Sequence, residues 1–301
     1  MPIFELLNPL DNFIFWYFFL TLIDTAILKF LIDRKENSKE IFWFWVFNPL
    51  NIIFTCILGQ NQILILFFAT LSLIFYSNKV YRVSVIHSLG AIYVKMIQFL
   101  YLPGFFIYLW LKNKKLIWLS IVPIMLYSLI GLTITPKWFV GVQNELDLLC
   151  PGNISFWFNK IFPGIDLNIL QILSGVCVFA VSYYCIRNFR IDNNLLIVST
   201  FVTLIVFLLT NSRNYPHYWI FTLPLLCLIQ EKKLQRLLMS NLAIVSMLAP
   251  IELSFYFNII REGSSNNYFV WFVLFLLDSS ILYLGFSSLL ELMKFQRKKI
   301  W

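Results

Sequence analysis

The residues able to do chemistry in this chain are few, and most stand inside or beside apolar runs. Lys95 lies within the apolar run 84–110. An ammonium held in a bilayer costs about 2.5–3.5 kcal/mol on insertion scales. It therefore needs an acidic partner, such as Asp278 or Glu252, or an anionic ligand such as a phosphate. A second group, Ser212, Arg213, His217 and Tyr218, sits in TNSRNYPHYWIFTLPLL. Arg213 can fork onto phosphate oxygens, and His217 can donate a hydrogen bond or carry a proton. Pro216 suits a first helical turn, whose free amides favour an anion. The same residue types also anchor helices at a membrane edge, and that reading stands beside the first.

A third group lies in NPLNIIFTCILGQNQ, residues 48–62. Asn48 and Asn51, three apart, share one helix face, and Pro49 loosens the helical ladder there. Gly59 permits a sharp turn, after which Gln60, Asn61 and Gln62 present amide donors and acceptors together. Such side chains read sugar hydroxyls without being ionised; the alternative is a Gly-ended helix followed by a polar loop. Carboxylates that could act as a base are Glu5, Asp11, Glu145 and Asp147. Asp24, flanked by Thr21 and Thr25, and Asp278, followed by Ser279 and Ser280, read as hydrogen-bonding sites between packed helices. Asn153-Ile154-Ser155 matches a glycosylation acceptor pattern.

The elements that must position these groups follow from composition. The 301 residues are 60% hydrophobic, 19% aromatic and 13% charged, whereas soluble domains average about 45–50% apolar and about 25% charged. That surplus calls for a bilayer as solvent. The net charge of +8 resides in short links between apolar runs. Such links face anionic lipid, and no nucleic-acid partner is implied. Cys56, Cys150, Cys177, Cys185 and Cys227 show no paired spacing, so neither a disulfide nor a metal site is indicated. No metal, nucleotide or nucleophile motif appears.

Apolar runs lie near 12–32, 41–58, 62–76, 84–110, 116–134, 169–186, 195–210, 217–230, 237–258 and 268–290. Several fall short of the roughly 20 residues a straight crossing needs. The expectation is an all-α integral membrane protein with about 10–11 transmembrane or half-membrane helices in a single multi-spanning domain, 1–301. If 84–110 enters and returns while each other run crosses once, every basic link falls on the cytoplasmic side. The amide cluster, the link 135–168 and NSRNYPHY then face the outer compartment together. Broken helices at membrane depth line a cavity or are buried in protein.

The order of these features resembles the multi-spanning glycosyltransferases of the GT-C type, particularly the bacterial polyprenyl-phosphate-sugar-dependent, mannosyltransferase-like family. The residues that carry the resemblance are Phe47, Asn48, Pro49, Leu50, Gly59, Gln60 and Asn61, then Lys95 and Pro103, then Ser212, His217, Tyr218 and Pro224. They fall in residues 41–110 and 205–230. The resemblance implies a GT-C-like bundle in a bacterial inner membrane with its active face outside. The implied activity is hexosyl or mannosyl transfer from a polyprenyl-phosphate-linked sugar to an acceptor. Asn48, Gln60, Asn61, Gln62, Lys95, Arg213, His217 and Tyr218 are the implied substrate-binding set.

The family carries its catalytic acid in a first external loop between two amino-terminal spans, and this chain reads as beginning after that region. The expectation is therefore one of three. Glu5, Asp11, Glu145 or Asp147 takes the role; a partner chain supplies the missing spans; or the chain is an inactive relative. The alternatives outside this class are a non-catalytic membrane subunit, a polysaccharide polymerase and a transporter of lipid-linked sugars. A transporter predicts inverted repeats with matching breaks, and only one clear break is visible.

Overall fold

The computed structural model describes residues 13–33, 38–57, 62–94, 102–134, 149–188, 195–212, 214–262 and 268–298. Among them there are helices and turns and no strand. In chain order the helices are α1 (Phe13–Ile32), α2 (Ser38–Val46), α3 (Gln62–Ser77), α4 (Tyr81–Val94), α5 (Leu102–Lys112), α6 (Trp118–Ile134), α7 (Ile154–Ile161), α8 (Leu167–Asn188), α9 (Leu195–Thr210), α10 (Thr222–Leu228), α11 (Lys232–Glu262) and α12 (Tyr268–Lys298). A π-helical turn, Asn51–Ile57, follows α2, and a 3-10 helix, Pro216–Phe221, leads into α10.

Three segments are long and apolar enough to cross a membrane: Leu167–Asn188, Lys232–Tyr256 and Tyr268–Phe295. Twenty-two helical residues rise about 33 Å, close to the hydrocarbon thickness of a bilayer. Their outward faces are apolar: Ile172, Leu173 and Val176 on α8 and Tyr268, Phe269 and Phe272 on α12 are exposed. By contrast, nearly every side chain of α9 is buried, as are Trp219, Phe221 and all of α10. A bundle that is apolar at its centre and over its surface matches lipid as solvent. It is an all-helical membrane architecture.

Because lipid is as apolar as the side chains it replaces, the helices are joined by small residues and interhelical hydrogen bonds. Ser72 on α3 and Ser84 on α4 each donate to the other's carbonyl at 2.9 Å. Ser174 bonds Thr210 across α8 and α9 at 2.7 Å, and Asn241 reaches Ser288 across α11 and α12 at 3.2 Å. Gly104 of α5 lets that helix lie on the α9 backbone. A Cβ there would sit 2.7 Å from Thr203 Oγ1 and 3.0 Å from the Ser199 carbonyl oxygen.

The run 84–110 is divided into two short helices. At 14 and 11 residues, α4 and α5 rise about 21 and 16 Å, too little for a crossing. Tyr76, at the end of α3, stands 5.6 Å from the Tyr81 ring at the start of α4. It also meets Phe105 of α5 edge-on at 5.2 Å and lies within hydrogen-bonding reach of Asn113, just past α5. So α5 returns to the level that α4 left. The basic residues Lys112, Lys114 and Lys115 share that level with Lys79 and Arg82. At this basic end, Arg236 grips Glu40 through two bonds of 3.0 and 2.6 Å.

Candidate functional site

The stretch from Trp45 to Gln62 joins two polar clusters. In the first, Asp24 of α1 accepts from the Trp45 indole at 2.8 Å and from Asn51 Nδ2 at 2.9 Å. Asn51 Oδ1 in turn accepts from Thr55 at 3.0 Å. Asn48 Oδ1 takes the N–H groups of Leu50 and Asn51, closing the start of the π-helical turn, while its Nδ2 donates to Ser246 of α11 at 3.1 Å. Both asparagines are buried. Pro49 leaves the backbone there without a regular ladder, and the amide side chains supply what the main chain cannot. Asp24 thus has the packing role its setting predicts.

The second cluster is at the opposite end of the bundle from Glu40 and Arg236. Gln62 opens α3, and its Nε2 lies 3.3 Å from Nε2 of His217 in the 3-10 helix. Both side chains are buried. His217 stacks on Tyr215 at 5.4 Å and meets Tyr218 edge-on at 4.7 Å. The turn that carries them also holds Ser212, whose carbonyl accepts from the Cys150 amide at 2.8 Å. Ser212 Oγ is fully buried and has no hydrogen-bond partner among the described residues.

Cys150 begins a short segment that lies across the ends of α11 and α12. Asn153 caps α7 by accepting from Phe156 N at 2.9 Å, and its Nδ2 donates to the Cys150 carbonyl. Its side chain is wholly buried, so the glycosylation pattern at 153–155 marks a helix cap and not a surface acceptor. Trp157 of α7 donates its indole N–H to Asp278 Oδ2 at 2.7 Å. Phe156 stacks on Trp271 at 6.5 Å, with Lys160 over the Trp271 ring at 5.1 Å. Tyr256 of α11 donates to the Leu149 carbonyl at 2.5 Å.

Beneath this cover two carboxyl groups face each other. Glu252, about 24 Å beyond Arg236 along α11, and Asp278 of α12 are both fully buried, and their carboxyls are in hydrogen-bonding contact. The Gly152 amide faces the Asp278 carboxyl. Gly152 itself has φ +80, and a Cβ on it would lie 2.9 and 3.1 Å from the two oxygens of Glu252. A left-handed conformation costs a non-Gly residue about 1–2 kcal/mol, and here the side chain would also displace a carboxyl. Gly152→Ala should therefore lower the thermal midpoint by about 5 °C or more. An unchanged midpoint would contradict the close approach.

Of the residues singled out from the sequence, Gln62, His217 and Tyr218 come together at one end, whereas Asn48 lies in the Asp24 network. Gln60, Asn61, Lys95, Arg213, Glu5, Asp11, Glu145 and Asp147 lie outside the described residues. Among the described residues, no group of three His, Cys, Asp or Glu side chains is placed to hold a metal ion. Glu252 and Asp278, each a candidate partner for Lys95 from the sequence, are in contact with each other. A signal for this exists in the numbering. Each lies about thirteen residues from the middle of the link between α11 and α12, so an antiparallel helical hairpin brings them level. No family model matches this chain, and neither a curated protein nor a solved structure is found to be similar to it.

Proposed function

We propose that the chain is a membrane glycosyltransferase of the GT-C type, built as a GT-C-like bundle of about 10–11 transmembrane or half-membrane helices. It transfers a hexosyl or mannosyl group from a polyprenyl-phosphate-linked sugar to an acceptor at the outer face of a bacterial inner membrane. One observation carries the reading: the contact at 3.3 Å between Gln62 and His217, 155 positions apart, sets the end of the amide cluster 60–62 against one of the residues that carry the resemblance. A shared buried end is what a common site requires of two segments so far apart in sequence.

The roles follow from the chemistry of the groups. With the basic links on the cytoplasmic side, the His217 end faces outward and the lipid donor enters sideways from the bilayer. Lys95 and Arg213 hold its phosphate and stabilise the charge that develops as it departs. Gln60, Asn61 and Gln62 orient the sugar by neutral hydrogen bonds, and Tyr218 walls the site. His217 carries the acceptor hydroxyl's proton away, and a carboxylate is its final acceptor, which completes the general-base role. Membrane lipids surround the bundle.

The test is transfer of labelled sugar from a polyprenyl-phosphate donor by purified protein in liposomes. The account expects transfer by the wild type and its loss in Lys95→Ala, with the fold retained. Protein that neither binds nor consumes the donor would overturn the reading. A second reading, a non-catalytic membrane subunit, is favoured by the complete burial of Glu252 and Asp278; it predicts transfer only when a partner chain is present.

A further inference from the structure

The carboxyl pair has a property that its packing alone does not explain. Neither oxygen of Glu252 accepts from an N–H or O–H donor among the described residues, and Asp278 Oδ1 is likewise without one. Both residues are fully buried, and no described cationic side chain forms an ion pair with either. Two ionised carboxylates in contact at a buried place repel each other and are poorly solvated. Three acceptor oxygens without a donor among the described residues, in one buried place, suit a positive ligand, and the smallest is a proton shared between the two groups.

The reaction proposed above releases such a ligand. We propose that Glu252 and Asp278 together form its proton-accepting pair, holding one proton at rest and two after transfer. This inference rests on the glycosyltransferase reading. In the step, a lone pair of the acceptor oxygen bonds to the anomeric carbon. The bond from that carbon to the phosphate oxygen breaks, and its electron pair leaves with the polyprenyl phosphate. The proton of the acceptor hydroxyl passes to the imidazole of His217 and on to the carboxyl pair. Atoms and charge balance with no further reactant.

The surroundings suit this role. Ser212, buried and without a hydrogen-bond partner at Oγ among the described residues, stands on the same turn as His217 and is bonded through its carbonyl to Cys150, next to the pair's cover. Tyr256, one helical turn beyond Glu252 on α11, donates to the Leu149 carbonyl beside Cys150 and lies near Tyr215, which stacks on the imidazole. Among the described residues the titratable groups nearby are Cys150 on the cover, Tyr256 on α11, and Tyr215 with His217 on the turn. Lys160 of α7 lies outside, over the Phe156 and Trp271 rings, and α9 contributes no ionisable side chain. The Trp157 indole and the Gly152 amide are aimed at Asp278, so the two carboxyls of the pair differ in their hydrogen-bond donors.

The experiment compares wild type, Glu252→Gln, Glu252→Asp and Trp157→Phe in liposomes with labelled polyprenyl-phosphate sugar, alongside infrared spectra of the same proteins. The expected result is a kcat at least ten-fold lower in Glu252→Gln with donor KM unchanged. Partial recovery is expected in Glu252→Asp. The pH–rate profile should move in Trp157→Phe, which keeps both carboxyls. The infrared spectrum should show a buried protonated carboxyl that Glu252→Gln lacks. Wild-type kcat and pH profile in Glu252→Gln would overturn the proposal. If that variant does not fold, an unmoved profile in Trp157→Phe does the same. A wild type that transfers no sugar overturns the function and this role with it. Absence of the infrared band in an active wild type overturns the pair alone, and a rate that then depends on added divalent cation would assign the three oxygens to a metal.

Discussion

Replacing His217 by alanine should lower the proposed sugar transfer by a factor of about 10²–10³, within the range that general acid–base groups contribute. The imidazole is buried against Gln62 and sandwiched between Tyr215 and Tyr218. No other histidine is near: His87 lies on α4, where its Nδ1 meets the Val83 carbonyl at 2.8 Å. The donor KM should change little, because its phosphate is assigned to Lys95 and Arg213. Stability should fall by about 1–3 kcal/mol as Gln62 loses that partner in a buried place. The two effects separate by measuring transfer below the thermal midpoint of the variant. Equal loss of kcat and of helical content would mean that the residue only holds the fold.

Gly104→Val should have the largest effect on folding. The close approach of α5 to α9 is set by main chain: besides Thr203 Oγ1 at 2.7 Å, a Cβ would meet the Ser199 carbonyl oxygen and Thr200 Cα at 3.0 Å each. A side-chain tip can rotate away, but a buried helix backbone cannot. Overpacking of this kind costs typically 1–3 kcal/mol, and valine adds two further methyl groups to the clash. Separating α5 from α9 would also strip Phe105 and Leu109, both buried, from the central helix. Folded yield from membranes should drop several-fold, whereas Gly175→Val on the face of α8, where a Cβ meets nothing within 4 Å, should be tolerated. Equal yields from the two variants would contradict the packing described.

Much of this fold was legible in the sequence because lipid imposes a simple code of apolar runs and charged links. The run 84–110 was legible as a returning pair, since Lys95 and Pro103 interrupt it and the basic links on either side need the same end. The site was legible in part. Gln62 and His217 could be suspected separately, but their contact depends on how the buried 3-10 helix meets the first turn of α3, which no local pattern encodes. Asn48 shows the reverse: an amide in an apolar run reads as a ligand-binding group, yet backbone left unpaired by Pro49 and a hydroxyl on α11 occupy it. Glu252 and Asp278 were hidden because each alone looks like a partner for a lysine. Their meeting follows only from the hairpin register and from a glycine, Gly152, that lets the cover lie close.

The proposed function requires that the Gln62 and His217 motifs form one functional site. Its most direct test is a double-mutant cycle on sugar transfer with Gln62→Ala, His217→Ala and the pair. Residues acting as a unit lose their function once. The account predicts that the double variant is no slower than His217→Ala alone, within a factor of about two. Losses that multiply across the two substitutions would show two independent sites and contradict the claim.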